Sequence, residues 1–372
     1  MTCRIDIVRD IDAFCALEID WNRLVGRFFG GHPFFSHFWF VNYYRSYFPG
    51  RPLFVMTARD DSGDLIAALP MVLGRRRLAG IPLKEARLVV GEHSHVNRIL
   101  APPHEEEIVR AFLCRARDEG IDLIYLEDVP DDSPDRTWME AFCRTERLML
   151  EVRRIRSSPY IPTTGDFEEY RKRLSKKFRE LLNNRLNRIN RAGGYEIETL
   201  SKFEHVDRAI ADMETISAGS WQGREGSGLF SGEANSRFYR NLISHAMANG
   251  YGTVFILYFG GRPAAYELHL FAGKTEYCLK AEYALEFEEV SPGAVLDAAL
   301  IKRAFGSDID TYDLLGYTDS YKLRWTQACT PYLRYFIFAR SAAGVAAYNL
   351  YYRLGNRLRH SGILRRMKKR VS

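Results

Sequence analysis

The chain has 372 residues, of which 46% are apolar and 13% aromatic, so it can build a large core and is not intrinsically disordered. Two domains are the default expectation at this length. The formal charge of +6 is unevenly distributed, because no acidic residue follows Asp319 whereas twelve basic residues do. The main body is therefore mildly acidic, and the basic character lies in the C-terminal segment.

Cysteine usage and hydropathy favour a cytoplasmic protein. The six cysteines have neither CxxC nor metal-ligand spacing, which predicts reduced thiols in a reducing compartment. The N-terminal residues include acids where a signal peptide needs an apolar core, so secretion is not expected. A membrane-spanning helix needs about 20 apolar residues in succession, and the sequence contains no such run.

The first half predicts one α/β unit. Phe34–Phe48 has helical aromatic periodicity, and Leu53–Ala58 with Leu65–Leu73 predict a β-hairpin around an Asp-Asp-Ser-Gly turn. Further elements are predicted at Ala86–Val90 (strand), Glu105–Glu119 (helix) and Asp122–Glu127 (strand). In the GEHSHVN segment between them, His93, His95 and Asn97 form a polar group without a third metal ligand, which predicts a pocket wall or surface loop.

A connecting segment follows at Val152–Thr164, where Pro159 and Pro162 predict a break in regular structure. Beyond it, apolar residues at helical spacing predict one long helix, Phe167–Arg191, whose opposite face is strongly basic. A second helix is predicted at Val206–Ala218. It precedes a flexible loop rich in glycine that carries Trp221.

The second half repeats the pattern of the first, roughly 200 residues later. A helical stretch at Phe238–Met247 is followed by a predicted hairpin, Thr253–Phe259 and Arg262–Phe271, around Gly260-Gly261. Strands that alternate with helices predict an α/β or α+β fold with mixed sheets. The predicted organisation is two similar domains at 1–160 and 161–335 and a basic amphipathic tail at 336–372.

An anion site is predicted where the third strand of the second unit leads into an apolar helix. The sequence there reads Ser291-Pro292-Gly293-Ala294. Pro292 suits the first turn of a helix and Ser291 its N-cap. Because helix N-termini leave N–H groups unpaired, the turn favours a phosphate-bearing ligand. The alternative is a capped helix that binds nothing.

Candidate catalytic groups lie on the neighbouring strands. Glu267 and His269 share one face of a predicted strand, from which either accepts a proton directly or through water. Asp313 ends a short strand; the loop after it carries Tyr321, Lys322 and Arg324, the two cations being suited to phosphate or carboxylate. The alternatives are a solvent-facing polar strand and an ion-paired loop.

These segments resemble a known family. The halves resemble the Gcn5-related N-acetyltransferase (GNAT) fold, and more narrowly the bacterial acyltransferases grouped with CelD-like cellulose-biosynthesis proteins, distant relatives of the Fem aminoacyltransferases. The resemblance spans roughly residues 30 to 325 and depends on the order of several short segments. They are Phe34-Phe35-Ser36-His37-Phe38-Trp39, Leu65–Leu73, Leu174-Ser175-Lys176-Lys177-Phe178-Arg179, Pro263-Ala264-Ala265-Tyr266, Ser291-Pro292-Gly293 and Tyr321-Lys322-Leu323-Arg324-Trp325.

The resemblance implies two tandem GNAT-like units and acyl transfer from acetyl-CoA or another acyl-CoA to an amine, without a metal. It implies an amino sugar or similar acceptor in surface-polysaccharide or glycan synthesis, with direct attack on the thioester and a tyrosine hydroxyl or backbone N–H at the oxyanion. Trp221 and Lys176 are candidates for substrate contact. Many GNAT enzymes carry a glycine-rich pyrophosphate loop; here only Pro292-Gly293-Ala294 remains, preceded by three glutamates.

Two other functions remain open at this point. One is a Fem-like transferase that uses aminoacyl-tRNA, which the basic helix favours although the long helical hairpin of many Fem enzymes is missing. The other is a non-catalytic assembly factor tethered to a membrane. The basic tail carries Tyr348, Tyr351 and Tyr352 among its arginines. This pattern favours weak association with an anionic membrane surface over a merely solvated terminus, and nucleic acid ranks last.

Overall fold

Residues 3–102 and 105–354 are described by a computed structural model. The strands are β1 (Arg4–Val8), β2 (Leu53–Arg59), β3 (Leu65–Leu78), β4 (Ile81–Leu88), β5 (Leu123–Pro130), β6 (Met149–Pro162), β7 (Glu196–Leu200), β8 (Gly252–Phe259), β9 (Arg262–Ala272), β10 (Thr275–Tyr283), β11 (Thr311–Asp313) and β12 (Cys329–Phe338). The helices are α1 (Ile11–Cys15), α2 (Glu18–Phe29), α3 (His37–Tyr47), α4 (Glu106–Asp118), α5 (Asp135–Thr145), α6 (Phe167–Arg173), α7 (Lys176–Arg191), α8 (Val206–Gly219), α9 (Trp221–Arg224), α10 (Gly232–Ala248), α11 (Pro292–Phe305) and α12 (Ala342–Ala347).

All twelve strands form one mixed sheet in the order β1-β2-β3-β4-β5-β12-β6-β11-β10-β9-β8-β7. Each half of this order contains a helix followed by three antiparallel strands, a crossover helix and a parallel strand. These are α3-β2-β3-β4-α4-β5 in the first unit and α10-β8-β9-β10-α11-β11 in the second. The predicted mixed α/β fold with a repeated unit is confirmed.

The two units exchange a strand at the centre of the sheet. β6, which ends the first half of the chain, pairs with β11 of the second unit, whereas β12, which follows the second unit, pairs with β5 of the first. β6 and β12 also pair with each other along ten residues of β12. Neither unit therefore has a complete sheet without a strand from the other.

This exchange overturns the predicted break at Val152–Thr164. The segment is part of β6, and the predicted limits at 160/161 and 335/336 fall inside β6 and β12. The prolines are tolerated because neither lies within a continuous ladder: Pro159 stands where β6 changes partner from β12 to β11, and Pro162 is its last residue.

The two predicted hairpins are confirmed. β2 and β3 pair around Asp60–Gly63, and β8 and β9 pair around Gly260 and Gly261. These two glycines have φ of 58° and 73°, which matches the two left-handed residues of the turn type that suits the right-handed twist of the strands. The aromatic helices that precede the hairpins, α3 and α10, pack against each other across the two units.

The predicted single helix from Phe167 to Arg191 is two helices. α6 ends at Arg173, and α7 begins after Ser175, whose hydroxyl accepts a hydrogen bond from the Phe178 N–H at 3.2 Å. Ser175 has ψ of 143°, which interrupts the helical path. The apolar periodicity continues through this break and therefore predicted one helix. The sign of a second helix start was Ser175, a residue type that favours the N-cap position.

The described part of the predicted tail belongs to the folded body. Residues 336–338 complete β12, and the rings of Tyr348 and Tyr352 pack against Phe338 at centroid distances of 5.6 and 5.5 Å. Residues 355–372 of that segment lie outside the described residues. Within the described ranges, no helix has the length and apolar character needed to cross a membrane.

Candidate functional site

The candidate site is a gap beside β10. β10 runs parallel to β11 only over Thr275–Tyr277, and beyond this point β9 is its only strand partner. A bulge between Cys278 and Lys280 also bends the strand there. One edge of the second half of β10 is therefore open, and Ala281, Glu282 and Tyr283 on it line a cavity of about 700 Å³.

The cavity is bounded by α7, α9, α11 and the loop after β11. Its apolar and aromatic lining includes Phe178, Leu182, Trp221, Tyr266, Leu296, Tyr321 and Trp325. Its charged lining consists of Arg185, Glu267, Glu282, Glu288, Asp297, Asp319 and Arg324. The edge-to-face contact of Phe178 with Trp325, at 4.8 Å between ring centroids, fixes α7 against the loop.

The N-terminus of α11 opens into this cavity, as Ser291, Gly293 and Ala294 line it. Pro292 occupies the first turn as predicted and is buried. The predicted cap by the Ser291 side chain is wrong, because Ser291 is left-handed with φ of 55° and its hydroxyl faces the Glu288 carbonyl oxygen at 3.4 Å. Among the residues that the structure describes, no side chain caps the first-turn N–H groups, which leaves them available to an anionic ligand.

Two arginines strengthen the anion-binding character of this wall. Arg185 on α7 and Arg324 on the following loop line the cavity, and neither side chain makes a hydrogen bond or ion pair with a described residue. Burial and the proximity of Arg324 lower the pKa of Arg185. Two neighbouring guanidinium groups without carboxylate partners are suited to bind phosphate.

The three glutamates before α11 differ in whether their side chains line the cavity. The Glu286 carboxylate pairs with Arg262, with both oxygens 2.7 Å from the guanidinium. Arg188 donates to the Glu289 carbonyl oxygen at 2.7 Å. Of the three, only Glu288 lines the cavity. The repulsion of a diphosphate expected from these glutamates is therefore reduced to a single side chain.

A pair of carboxyl groups forms the floor of the cavity. Glu267 on β9 and Asp297 on α11 both line it, and Glu267 Oε1 is buried there without a hydrogen-bond partner among the described residues. Burial, together with the Glu267 charge, raises the pKa of Asp297 well above its ordinary value. For Glu267, burial is outweighed by hydrogen bonds from neighbouring side chains, and its pKa is lowered. The pair thus holds one proton, on Asp297, and one charge, on Glu267.

Glu267 Oε2 accepts three hydrogen bonds. The donors are His269 Nε2 at 2.8 Å, Tyr312 Oη at 2.9 Å and Cys278 Sγ at 3.2 Å. The potential ligand atoms of Glu267, His269 and Cys278 lie within 4.8 Å of one another. His269 and Cys278 are already joined to the glutamate oxygen by hydrogen bonds, so the three residues form a hydrogen-bonded cluster.

The remaining predicted catalytic residues are distributed differently. His269 is fully buried behind Glu267, and Tyr321 lines the cavity with about half of its surface exposed. Asp313 does not line the cavity: its Oδ1 accepts from the Leu315 N–H at 2.8 Å and from Ser158 Oγ at 3.1 Å. Lys322 is also buried and donates to the Leu315 carbonyl oxygen at 2.8 Å. Asp313 and Lys322 both bind the backbone at Leu315 and so hold the loop that carries Tyr321.

The two candidate substrate contacts also separate. Trp221 lines the cavity and is half exposed, on α9 rather than in an irregular loop. α9 is attached to β10, because Glu282 accepts from Ser220 Oγ at 2.9 Å and from the Leu229 N–H at 3.1 Å. Lys176 points away from the cavity; its side chain is 83% exposed and lies 3.9 Å from Glu180.

The corresponding gap in the first unit is filled by its own chain. β4 and β5 pair only at residues 85–87 and 123–125, as β10 and β11 do at their start. Asn97, however, closes the gap: its N–H donates to the Asp128 carbonyl oxygen and its side chain to the Glu127 carbonyl oxygen, both at 2.9 Å. The GEHSHVN segment is therefore a structural plug, and His93 within it bonds to Tyr239 of the second unit.

Sequence reasoning missed Asp297 and Arg185. Asp297 is the only acidic residue of α11, and a carboxylate in an otherwise apolar helix was a usable signal. Arg185 was concealed among the many basic residues of α7. Nothing in the sequence distinguishes it, because only the packing of α7 on α11 turns this arginine towards the cavity.

Comparison with known proteins agrees with this geometry. Residues 176–323 match the acetyltransferase (GNAT) domain. The matched segment contains α7, β8–β11 and α11, and hence every residue that lines the cavity except Arg324 and Trp325. The match supports a transferase of the GNAT type and confirms the resemblance at that level. A search of curated protein sequences gives no match.

Several solved structures share the fold. FemX is 13% identical with a TM-score of 0.58, and the alignment covers 94% of this chain and 99% of FemX. The C-terminal domain of a proposed lysylphosphatidylglycerol synthetase from Agrobacterium fabrum is 14% identical with a TM-score of 0.54, covering 90% and 95%. L-PGS from Bacillus licheniformis is 11% identical with a TM-score of 0.52, covering 91% and 96%. At these identities the likeness concerns the fold alone.

Proposed function

We propose that this protein transfers an acyl group from acetyl-CoA or another acyl-CoA to an amine. The observation that carries the proposal is the open edge of β10, which lies in one cavity with a proton-sharing carboxyl pair and a wall of cationic and N–H groups. A thioester donor with phosphates needs the wall of cationic and N–H groups. An amine acceptor that must lose a proton needs the carboxyl pair.

The donor fits the wall formed by α11, α7 and the following loop. In this proposal the phosphates of CoA bind to the uncapped N–H groups of α11 and to Arg185 and Arg324. The unpaired edge of β10 offers backbone donors and acceptors to the amides of the pantetheine arm, as a sheet edge does to an added strand. No covalent enzyme intermediate is required.

The carboxyl pair supplies both proton transfers. The amine nitrogen attacks the thioester carbonyl carbon and gives its proton to Glu267, while the C–S bond breaks and Asp297 protonates the departing sulfur. The products are the N-acylated amine and CoA with a free thiol. Because Glu267 and Asp297 line the same floor and the pKa of Asp297 is the raised one, the proton then passes from Glu267 back to Asp297 and restores the starting state.

The acceptor belongs, in this proposal, to amino sugars or similar amines of surface-polysaccharide or glycan synthesis. Support comes from the acidic floor, which attracts an ammonium group, from the half-exposed rings of Trp221 and Tyr321, and from the CelD-like resemblance of the sequence. We include in the proposal a peripheral contact of the C-terminal basic segment with an anionic membrane surface, where such glycans are assembled.

Calorimetric titration with acetyl-CoA tests the donor site. We expect saturable binding by the wild type with one site per chain, since the equivalent gap of the first unit is filled. The double variant R185A/R324A loses two charge-assisted phosphate contacts and should bind roughly 10- to 100-fold more weakly.

Lys177→Ala is the matched control, because this exposed lysine lies on the same helix as Arg185 but outside the cavity. It should bind acetyl-CoA as the wild type does. Absence of any binding by the wild type contradicts the proposed donor site. Equal weakening of binding in R185A/R324A and in Lys177→Ala also contradicts it.

Aminoacyl transfer from charged tRNA is the second candidate. The observation that favours it is the exposed basic side of α6 and α7. Arg173, Lys177 and Arg191 there make no ion pair with a described acidic residue, and Lys176 lies 3.9 Å from Glu180. Binding of charged tRNA that is lost in K177A and in moderate salt, without any binding of acetyl-CoA, would select this function instead.

A further inference from the structure

A chain of buried charged side chains continues behind the cavity floor. His269 contacts Glu267 through Nε2 at 2.8 Å and Glu276 Oε1 through Nδ1 at 2.5 Å. Glu276 is in turn paired with Arg303. His269 and Glu276 are fully buried on β9 and β10, whereas the Arg303 side chain on α11 is 37% exposed. The chain therefore leads from the cavity to the protein surface.

The geometry defines the charge of the imidazole. Both ring nitrogens face carboxylate oxygens, and a carboxylate only accepts, so the ring has to donate from both nitrogens. Burial opposes a charge on His269, but the bonds and charges of the two carboxylates outweigh it and raise its pKa. Glu267 and Glu276, His269 and Arg303 together then carry no net charge, as a buried network requires.

Without the charge of His269, the surroundings of Glu267 would disfavour an ionised carboxylate. It is 1% exposed and lies beside the carboxyl group of Asp297 on α11. The remaining groups that face it are the Cys278 thiol on β10 and the Tyr312 hydroxyl on β11, which are neutral donors. The only cation that contacts Glu267 among the described residues is the His269 imidazolium. Removal of that charge leaves the burial of a carboxylate uncompensated.

We propose that His269 is a positioning residue which, anchored by Glu276 and Arg303, keeps Glu267 ionised as the proton acceptor at the cavity floor. It acts through Glu267 and does not itself line the cavity. The inference rests on the proposed acyl transfer for its kinetic consequence. The charge state of the ring does not depend on it and can be measured separately.

The kinetic test is the pH dependence of kcat/KM for acyl transfer to an amine. In His269→Gln the side-chain amide keeps a donor near Glu267 but removes the charge, so the acid limb should move to higher pH by at least one unit. The KM for acyl-CoA should stay unchanged, because His269 does not contact the donor wall. Glu276→Gln should move the limb in the same direction by a smaller amount.

His245→Gln is the matched control, since this histidine stacks on Phe38 away from the cavity. It should leave the pH profile unchanged. A folded His269→Gln variant whose acid limb coincides with that of the wild type overturns the proposal. A uniform loss of rate at all pH values also does so, because it indicates a structural role only.

Nitrogen-15 NMR of histidine-labelled full-length protein provides the second measurement. We expect both ring nitrogens of His269 to be protonated at pH 7 in the wild type and one to be deprotonated in Glu276→Gln. A neutral ring in the wild type at pH 7 overturns the inference even if acyl transfer is established. A doubly protonated ring without any acyl-CoA turnover supports the charge network and contradicts only the proposed function.

Discussion

At the scale of single residues, three carboxyl groups near the centre of the second unit differ in their neighbours and therefore in their protonation. Glu267 and Asp313 are buried, and Asp297 is partly buried. Glu267 has an imidazolium partner and stays charged, whereas Asp297 has mainly another carboxylate and holds a proton. Asp313 has only the Leu315 N–H and the Ser158 hydroxyl within hydrogen-bond distance. The same chemical group thus has three roles, which follow from what surrounds it.

Asp313→Asn is expected to stabilise the protein at high pH. Burial raises the pKa of Asp313 from 3.8 to about 6, so the folded state binds this proton more tightly than the unfolded chain. The stability from Asp313 is fully present below about pH 4 and is lost as pH rises through about 6. The variant keeps an oxygen acceptor for Leu315 and should gain about 1–3 kcal/mol in free energy of unfolding at pH 8.

Urea denaturation at pH 8 and pH 4 checks this expectation. The difference between variant and wild type should be much smaller at the lower pH, where the wild-type carboxyl is protonated in the folded state and partly protonated in the unfolded chain. An equal difference at both pH values would show that the effect does not come from titration of Asp313.

At the scale of elements, α9 is the part of the cavity whose position depends most on close packing. The sequence predicts a flexible loop there because of its glycines, but these glycines allow contact with α8. A Cβ at Gly223 would lie 2.0 Å from the Ser217 carbonyl oxygen, whereas one at Gly226 would meet nothing within 4 Å. Glu282 of β10 then fixes both ends of the segment.

Gly223→Ala should lower the free energy of unfolding by about 3 kcal/mol, because backbone atoms have to move to admit the methyl group. Gly226→Ala is the matched control; its φ of 72° makes alanine unfavourable by about 1 kcal/mol without any steric contact. Urea denaturation of the two variants measures the difference. Equal losses would indicate that α9 does not pack on α8 as described.

At the scale of the whole molecule, the exchanged strands make the two units one folding body. The second unit carries the cavity, but β11 at its inner edge pairs with β6 from the first half of the chain. β12 in turn lies between β5 and β6. The first unit, with its own gap filled by the GEHSHVN segment, therefore supports the cavity of the second through the sheet.

Separate expression of residues 1–164 and 165–372 tests this interdependence. Neither fragment should show a cooperative unfolding transition by circular dichroism, because each lacks a central strand and exposes the apolar edge of the sheet. Co-expression of the two fragments should restore the fold. Cleavage of the intact protein at Gly165 should leave the fold in place. A fragment 165–372 that unfolds cooperatively and binds acetyl-CoA alone would contradict the exchange.

Much of the local structure was predictable, because it depends on short-range patterns. The hairpins at Gly260-Gly261 and Asp60–Gly63 were predicted from alternation and turn residues, and the start of α11 from Pro292. The cap of α11 was not, since the left-handed backbone of Ser291 reverses the direction of its hydroxyl. Of the residues predicted for the site, Glu267, Tyr321, Trp221, Arg324 and residues of the 291–294 turn line the cavity, and their individual roles stay predictions.

The sequence by itself determined the α/β character, the repeated unit and the two hairpins, because these follow from periodicity and turn chemistry within about 15 residues. The tertiary structure alone decided that β6 and β12 cross between the units, that the first gap is closed by Asn97 and the second is open, and that Asp297 and Arg185 meet Glu267 in one cavity. These outcomes depend on pairing between segments distant in the chain. Periodicity does not encode which strands become neighbours, nor which charges burial brings together.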